Sequence, residues 1–484
     1  MTRHVGLVTL LLLVGLPTMT AADKLDRSRR PAVGPAVSPA TPHIVRATLL
    51  NGLPVWMVRR TQVPVVSVVL QMRAGGALDG PQHAGVAAMT AALLDDGTAR
   101  HSAPEFAEAV DFLGASLSAS SGDEQTVVSL LTLSKHLDSA LVLMGEMVTQ
   151  PSFPAEEVER ERKSRLQSLK QQRDLPAVVA GLTFNRVVYG EEHPYGRPAS
   201  GTVASVESIG REDLLRHYQH YYRPGNAELI VVGDIDVKML PAQLERVFGE
   251  WKSETVPADA RAVPARPTPH RTALYLIDKP GAAQSEIRIG HAGAARSMAP
   301  DYYALQVMNT LLGGQFTSRV NLNLRERHGF TYGARTQWSF RRGDGPFFAA
   351  AGVFSAKTDS AITEFMRELH DIRGPRPATA AEVEAARNAL IRSFPRRLET
   401  NEGVATLLAE LAFFKLPESE ISDFNARVAQ VTAAQVTDVA ARYIAEDRLA
   451  VVVVGDLAKI RSGVEALKLG PLHVLDADGR EVAQ

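Results

Sequence analysis

The chain has 484 residues, of which 45% are hydrophobic and 22% are charged, as in a folded globular protein. Its 53 lysines and arginines nearly balance its 54 aspartates and glutamates, giving a formal net charge of -1. This balance argues against a nucleic-acid binder, which normally carries a basic excess. The absence of cysteine excludes disulfide frameworks, thiolate metal sites and cysteine nucleophiles.

Residues 1–22 have the pattern of a secretory signal peptide. Arg3 precedes an apolar run at 5–16, and the small residues Thr20-Ala21-Ala22 follow it, like a cleavage site. The run is shorter than the roughly 20 apolar residues that a membrane-spanning helix needs. The alternative is an uncleaved amphipathic start. The pattern predicts export, most simply to a bacterial periplasm, with a flexible polar lead at 23–43 and no integral membrane segment after signal removal.

Strand-like and helical periods then alternate along the chain. In the first half, strands are predicted at 53–58, 65–72, 126–133 and 229–232, and helices at 85–94, 103–113, 137–148, 156–171 and 211–221. In the second half, strands are predicted at 274–277, 286–291, 347–353 and 450–454, and helices at 302–312, 360–369 and 381–392. Because strands outnumber close strand–helix alternations, we predict an α+β fold with antiparallel-rich sheets covered by helices, and not a doubly wound parallel sheet.

An internal repeat divides the chain. Residues 227–235 recur as 449–457, both with an apolar run ending in Gly-Asp, and Tyr221 matches Tyr443 at the same offset. An ordered series of such matches predicts two copies of one unit, that is, two homologous sandwich domains. The predicted organisation is a first domain at 44–252, a proline-rich linker at 253–271, a second domain at 272–460 and a tail at 461–484.

Four short motifs carry a resemblance to a known family. They are Leu50-Asn51-Gly52-Leu53, His193-Pro194-Tyr195-Gly196, Leu311-Leu312-Gly313-Gly314 and Gly329-Phe330-Thr331-Tyr332. In this order, over nearly the whole chain, they resemble the pitrilysin/insulinase family of zinc metallopeptidases, especially its mitochondrial-processing-peptidase-like members. The resemblance implies that the chain forms half of a clam-shell, in which two half-shells enclose a chamber for an extended peptide.

The zinc signature of that family is missing from this chain. In the family, a His-x-x-Glu-His helix supplies two zinc ligands on one helical face, and its glutamate activates the metal-bound water. The resemblance places Ala88, Ala91 and Ala92 at these positions, and Ser168 at the position of the third ligand. All four functional side chains are therefore absent, and we expect the chain to bind no metal cofactor itself.

A replacement metal site would have to use other residues. None of the 13 histidines lies in a His-x-x-Glu-His sequence elsewhere in the chain. The best alternative is His217 with His220, and with Asp213 on the same predicted helical face. A solvated or aromatic-packed helix face explains these residues better than a metal site does.

The second half keeps a different part of the family's site. Arg325 and Tyr332 lie seven residues apart, and the resemblance implies that such a pair reaches the zinc of the opposite half and holds the substrate carbonyl. A guanidinium and a phenol are suitable donors to a developing oxyanion. Gly313 and Gly314 would let the substrate backbone approach closely. The alternative is a structural Arg325–Glu326 pair, a packed tyrosine and a helix-ending glycine turn.

These features predict a non-catalytic, substrate-binding subunit of a heterodimeric zinc metallopeptidase, inactive alone. Its expected partner is a homologous subunit that carries the zinc, and its expected substrate is a peptide or unfolded polypeptide bound by strand addition to a sheet edge. The alternative is a structural or binding protein on a disarmed peptidase fold, in which Arg325 and Tyr332 are relics. An enzyme that uses unrelated residues has no supporting set of side chains.

Overall fold

The computed structural model describes residues 34, 40–252, 255–256, 258–265, 267, 271–296 and 301–482. They form two six-stranded sheets with helices against both faces of each sheet, which confirms the predicted α+β architecture. The predicted signal peptide, most of the lead and part of the linker lie outside the described residues. Within the described ranges, no helix is both long and apolar enough to cross a bilayer.

The first sheet has the strand order β1-β2-β6-β3-β5-β4. β2 and β6 are parallel, and all other neighbours are antiparallel. A tight hairpin joins the edge strand β4 to β5. The bounds of the strands, from β1 to β6, are Ile44–Thr48, Pro54–Arg59, Val65–Met72, Ser116–Ser121, Thr126–Leu133 and Ala227–Gly233.

The second sheet has the order β12-β7-β11-β8-β10-β9. Its strands, from β7 to β12, are Ala273–Asp278, Gln284–Ala292, Thr331–Trp338, Pro346–Phe354, Ala450–Gly455 and Leu472–Leu475. Five strands follow the same order and directions in both sheets, with β7 and β11 parallel as β2 and β6 are. The sixth differs, because β12 is parallel to β7 whereas β1 is antiparallel to β2. The segment predicted as a tail thus supplies a strand of the second sheet.

The helices of the described residues are numbered in chain order. From α1 to α9 they are Val86–Ala92, Ala103–Phe112, Leu137–Thr149, Ala155–Gln172, Pro176–Tyr189, Val203–Ser208, Arg211–Tyr221, Leu240–Phe248 and Ala258–Arg261. From α10 to α17 they are Asp301–Asn309, Arg319–Asn321, Thr358–Asp371, Ala380–Ser393, Asn401–Phe414, Ser419–Ala429, Ala433–Tyr443 and Leu457–Ala466. Two π-helical segments follow α10 and α11, at Thr310–Gly314 and Leu322–Arg327.

One face of each sheet packs against helices from its own half of the chain. In the first half, Leu70 of β3 belongs to one buried cluster with Met144 of α3 and Phe248 of α8. In the second half, Ile287 of β8 belongs to a cluster with Phe365 of α12. Burial of these apolar side chains supplies the main driving force for folding, at about 25 cal/mol for each Å² removed from water.

The other face of the first sheet packs against a helix from the second half. Leu408 of α14 lies in a buried cluster with Val69 of β3 and Ile230 of β6. The buried Gln71 side chain donates a hydrogen bond of 2.9 Å to the carbonyl oxygen of Ala409. The first sheet therefore completes its core with a helix that lies about 170 residues further along the chain.

The converse arrangement holds for the second sheet. Phe184 of α5, from the first half, packs against Phe348 of β10 with 5.9 Å between ring centroids. Val452 and Val454 of β11 belong to the same buried cluster. We call α5 and α14 the exchanged helices, because each covers the sheet of the other half. Neither sheet can bury both of its faces without the other half.

Shortening a buried side chain of an exchanged helix should destabilise the whole molecule. We expect Leu408→Ala to lower the free energy of unfolding by about 2–5 kcal/mol, because it removes a fully buried side chain and leaves a cavity. Urea denaturation followed by tryptophan fluorescence measures this loss. The matched control is Leu50→Ala at a side chain that is 93% exposed, which should change stability by less than about 0.5 kcal/mol. Equal effects of the two substitutions on stability would contradict the packing of α14 against the first sheet.

Candidate functional site

The helix at the position of the missing zinc signature, α1, begins at a fixed point. Gly85 precedes it with φ of 98°, a conformation that favours glycine. The Asp79 carboxylate accepts hydrogen bonds from the backbone N–H of Gly85 at 2.7 Å and of Ala87 at 3.2 Å. Burial raises the pKa of Asp79 to about 7, and these two hydrogen bonds oppose that rise. The helix start is therefore capped, although no ligand side chain follows on it.

The side chains at the four zinc-signature positions do not form a metal site. Ala91 is buried, and Ala88 and Ala92 are partly exposed. α1 packs against α4, where Ser168 is exposed and its hydroxyl oxygen accepts a hydrogen bond of 3.4 Å from the Gln172 side chain. Methyl groups cannot coordinate zinc, which requires imidazole, thiolate or carboxylate ligands. The residues present do not fit the ion.

Carboxylates near the end of α1 and on α4 are engaged by arginines. Asp96 lies 2.6 Å from the Arg160 guanidinium, and Glu161 lies 2.6 Å from that of Arg165. Burial raises the pKa of Asp96 to about 6, and Arg160 opposes this rise. Throughout the part of the chain that the structure describes, no group of three or more histidine, aspartate or glutamate side chains is placed to hold a metal ion.

At the alternative histidine site, the side chains make packing contacts and hydrogen bonds within the protein. His217 of α7 is buried, with its Nε2 atom 3.4 Å from the carbonyl oxygen of Ala74 and its ring 4.9 Å from that of Tyr221. Asp213 accepts hydrogen bonds of 2.8 Å from the Gly210 N–H and from the Arg216 guanidinium. These contacts agree with the aromatic-packed helix face that the sequence favoured.

The burial of His217 should make stability depend on pH. Burial lowers the pKa of His217 to about 4, and the hydrogen bond to the Ala74 carbonyl oxygen opposes this. The unfolded chain, where histidine has a pKa of about 6.5, then binds the proton first, so stability falls as the pH drops from about 6.5 towards 4. We expect this group to account for about 2–3 kcal/mol of the loss between pH 7 and 4.5.

Denaturation of wild type and His217→Gln at pH 7 and 4.5 measures this contribution. It is the loss of unfolding free energy between the two pH values in wild type minus the same loss in the variant. Gln219→Ala, at an exposed and non-titrating neighbour on the same helix, is the control and should follow the wild-type dependence. Parallel stability curves for wild type and His217→Gln would refute the assignment.

Arg325 and Tyr332 lie at the other candidate site, in the second half. Arg325 belongs to the second π-helical segment, a rare geometry that occurs often at functional sites. Its guanidinium lies over the Phe316 ring at 4.5 Å from the centroid, and its Nε atom lies 3.4 Å from Glu326. This ion pair exists as the structural alternative predicted, but both partners are exposed, so it contributes little to stability.

Tyr332 lies near the start of β9 and is not packed as the structural alternative required. Its side chain is 78% exposed, and its ring makes an edge contact with Phe354, with 6.1 Å between centroids. Among the described residues, its hydroxyl group has no hydrogen-bond partner. Gly329, with φ of 65°, forms the turn between the π-helical segment and β9. The arginine and tyrosine are thus presented on consecutive elements, with their polar ends accessible.

The two glycines have different surroundings. A Cβ atom on Gly313 would lie 2.2 Å from the backbone nitrogen of Thr336, so this glycine lets the first π-helical segment pack against β9. Gly314 is exposed, and its nearest neighbours belong to Asn309. The Asn321 side chain accepts a hydrogen bond of 3.0 Å from the Ala334 N–H. Together these contacts cover much of the outer edge of β9.

The corresponding edge of the first sheet is open. β4 pairs with β5 on one side, and in the described part of the chain no strand pairs with its other side. Its residues Ser116, Ser118 and Ser120 are exposed, and α1 packs beside it. We call this side of β4 the open edge. Its unpaired backbone groups can accept an added strand.

Family models describe both halves of the chain. A model described as Insulinase (Peptidase family M16) matches residues 55–191, and one described as Peptidase M16 inactive domain matches residues 208–390. The chain belongs to the pitrilysin/insulinase family. Its α1, with alanine at the three signature positions, lies within the first match, and Arg325 and Tyr332 lie within the second.

Relatives and solved structures agree with this family. The chain is 27% identical over 446 residues to an uncharacterized zinc protease of Mycobacterium bovis, covering 90% of this chain and 99% of the relative. A peptidase M16 inactive domain from Pseudomonas fluorescens is similar with a TM-score of 0.80 and 24% identity, over 85% of this chain and 98% of that one. A protease from Helicobacter pylori has a TM-score of 0.79 and 21% identity, over 85% and 99%. At these identities, the structural matches show the fold.

Some features of this family member's site carried little signal in the sequence. The open edge belongs to β4, whose Ser-Leu-Ser-Ala-Ser-Ser sequence lacks the β-branched and aromatic residues typical of strands. The contact of Arg325 with Phe316 joins two residues on either side of α11, and no motif indicated it. Alternation of serine with leucine or alanine at 116–120 was the one sequence pattern that could have indicated this strand.

Proposed function

We propose that this chain is a non-catalytic, substrate-binding and assisting subunit of a heterodimeric zinc metallopeptidase. The observation that carries the proposal is the contrast between its two candidate sites. α1 is capped and folded but has alanine at all three signature positions, whereas Arg325 and Tyr332 remain accessible in the second half. A homologous partner subunit would supply the zinc ion and the general base, and this chain would bind no metal.

The open edge supports a role in holding the substrate. An extended peptide that adds to β4 gains main-chain hydrogen bonds whatever its sequence, which suits a subunit that binds peptides or unfolded polypeptides. The side chains exposed along β4 are serines, which are small and leave the edge accessible. Phe112, at the end of α2 near β4, is largely exposed and offers an apolar contact beside this edge.

The second half supports a role in assistance. The Arg325 guanidinium and the Tyr332 hydroxyl group can both donate hydrogen bonds to a substrate carbonyl oxygen and to the negative charge that develops on it. Packing against Phe316 restricts Arg325, so part of its side-chain entropy is lost before substrate arrives. The pattern of residues 1–22 adds the proposal that the subunit is exported, most simply to a bacterial periplasm.

The proposal predicts activity only in a mixture. We expect the purified chain alone to retain no zinc and to cleave no peptide, whereas mixing it with a zinc-bearing homologue from the same organism should produce peptidase activity. In the mixture, Arg325→Ala and Tyr332→Phe should each lower kcat by about 10²–10³, the usual effect of removing an oxyanion donor. A fluorogenic peptide assay, with metal analysis of each subunit, measures both effects.

The control for this experiment is Arg327→Ala, which removes an exposed arginine from the same π-helical segment and should leave kcat unchanged. Zinc-dependent cleavage by this chain alone would overturn the proposal. If the mixture is active but neither Arg325→Ala nor Tyr332→Phe changes kcat, the assisting role is wrong and the chain is a structural or binding protein on a disarmed peptidase fold.

A further inference from the structure

The face of the second sheet that α5 covers is exposed at its edge strand, β9. α5 packs mainly on β8 and β11 and also contacts Phe348 of β10, whereas Arg335 of β9 is exposed. Ala350 of β10 pairs with Arg288 of β8 on one side and with Arg335 of β9 on the other. Residues directly opposite each other in neighbouring strands point to the same face of a sheet. Both arginines therefore lie on this face, with their backbones about 10 Å apart, which is two strand spacings.

Glu286 of β8 lies on the same face, two residues before Arg288. A Cβ atom added to Gly352, its cross-strand neighbour on β10, would lie 3.2 Å from the Glu286 carboxylate. We call the group of Glu286, Arg288 and Arg335 the Arg288–Arg335 face. It holds two positive charges and one negative charge, so it carries an excess of one positive charge.

Arg288 is held in a position prepared by its neighbours. Its guanidinium lies over the Phe348 ring, 4.4 Å from the centroid. Gly181 of α5 makes room for it, because a Cβ atom there would lie 2.9 Å from Nη1. The aromatic contact and the exchanged helix therefore restrict the guanidinium to a position between α5 and the exposed strand β9.

The charged side chains of this face lack direct hydrogen-bonding partners within the protein. The Nε atom of Arg288 is buried without a hydrogen-bond partner. In the described ranges, the side chains of Glu286, Arg288 and Arg335 form no hydrogen bond and no salt bridge. Burying a charge without a partner is costly, and unsatisfied buried polar atoms are few in folded proteins. A ligand that supplies the missing partner would remove this cost.

The surrounding electrostatics favour an anionic ligand. Burial lowers the pKa of Arg288, Glu286 opposes this, and the charge of Arg335 adds to it. Burial raises the pKa of Glu286, and both arginines oppose that rise. One carboxylate is therefore shared by two guanidinium groups, and a second carboxylate would neutralise the excess positive charge.

We propose that the Arg288–Arg335 face binds a carboxylate of the peptide substrate. The inference rests on the proposed peptide-binding function and adds a chemical preference to it. Guanidinium groups bind carboxylates through two parallel N–H donors, a geometry that a lysine or a neutral side chain does not reproduce. The carboxylate belongs either to an acidic side chain or to the C-terminus of the peptide.

Binding of four labelled peptides to the full chain tests this site. The peptides share one sequence except for a central Glu or Gln, and each is made with a free or an amidated C-terminus. We expect fluorescence anisotropy to show about tenfold tighter binding of one carboxylate-bearing class than of the neutral, amidated Gln peptide. Preference for central Glu identifies a side-chain carboxylate, and preference for the free C-terminus identifies the terminal one.

Three variants test whether the preference for a carboxylate depends on the Arg288–Arg335 face. Arg335→Gln should abolish it while leaving the affinity for the neutral peptide unchanged. Glu286→Gln, which is nearly isosteric, should strengthen binding of the preferred peptide severalfold, because it removes the competing negative charge. Arg246→Gln, on α8 in the first half, removes an equal charge elsewhere and should leave all affinities as in wild type.

The outcomes separate this inference from the function on which it rests. Equal affinity of wild type for all four peptides overturns the carboxylate site and leaves peptide binding intact. A preference that persists in Arg335→Gln and does not change in Glu286→Gln also overturns it. Binding of none of the four peptides overturns both the site and the proposed peptide-binding function.

Discussion

The structure depends on the requirement that each sheet bury two apolar faces. One face of each sheet is covered by its own half, but the second is covered by the exchanged helices α5 and α14. Val69 and Ile230 on the first sheet, and Phe348 and Val452 on the second, would face water without them. Because each helix covers central strands, the edge strands β4 and β9 keep exposed side chains. The exposed surfaces that we associate with substrate therefore follow from the way the cores are completed.

The sequence predicted the elements whose pattern is local. The strands predicted at 65–72 and 126–133 coincide with β3 and β5, because continuous or alternating apolar runs are visible in sequence. Both exchanged helices were missed. Pro176–Tyr189 and Asn401–Phe414 are apolar around much of their circumference, so they lack the polar stripe that reveals a surface helix. The apolar surface that lets these helices pack against the other half therefore also makes them hard to recognise in the sequence.

The candidate sites divide in the same way. Absence of zinc ligands at Ala88, Ala91 and Ala92 could be derived from a motif, because the ligands of a helix have a fixed spacing. The Arg288–Arg335 face could not, because these arginines meet only through the register of three strands and through Gly181 on a helix from the other half. A pairing of this kind depends on tertiary structure and leaves no periodic trace in the chain.

The fold also explains how α1 can form without zinc ligands. Its start is fixed by Asp79, and Val86, Met89 and Ala91 are buried on its inner face, so its packing does not depend on a metal ion. Alanine has the highest helix propensity, so alanines at the signature positions favour the helix itself. The helix continues to pack beside β4 and thereby helps to shape the open edge. The peptide binding that we propose at that edge therefore does not require zinc ligands on α1.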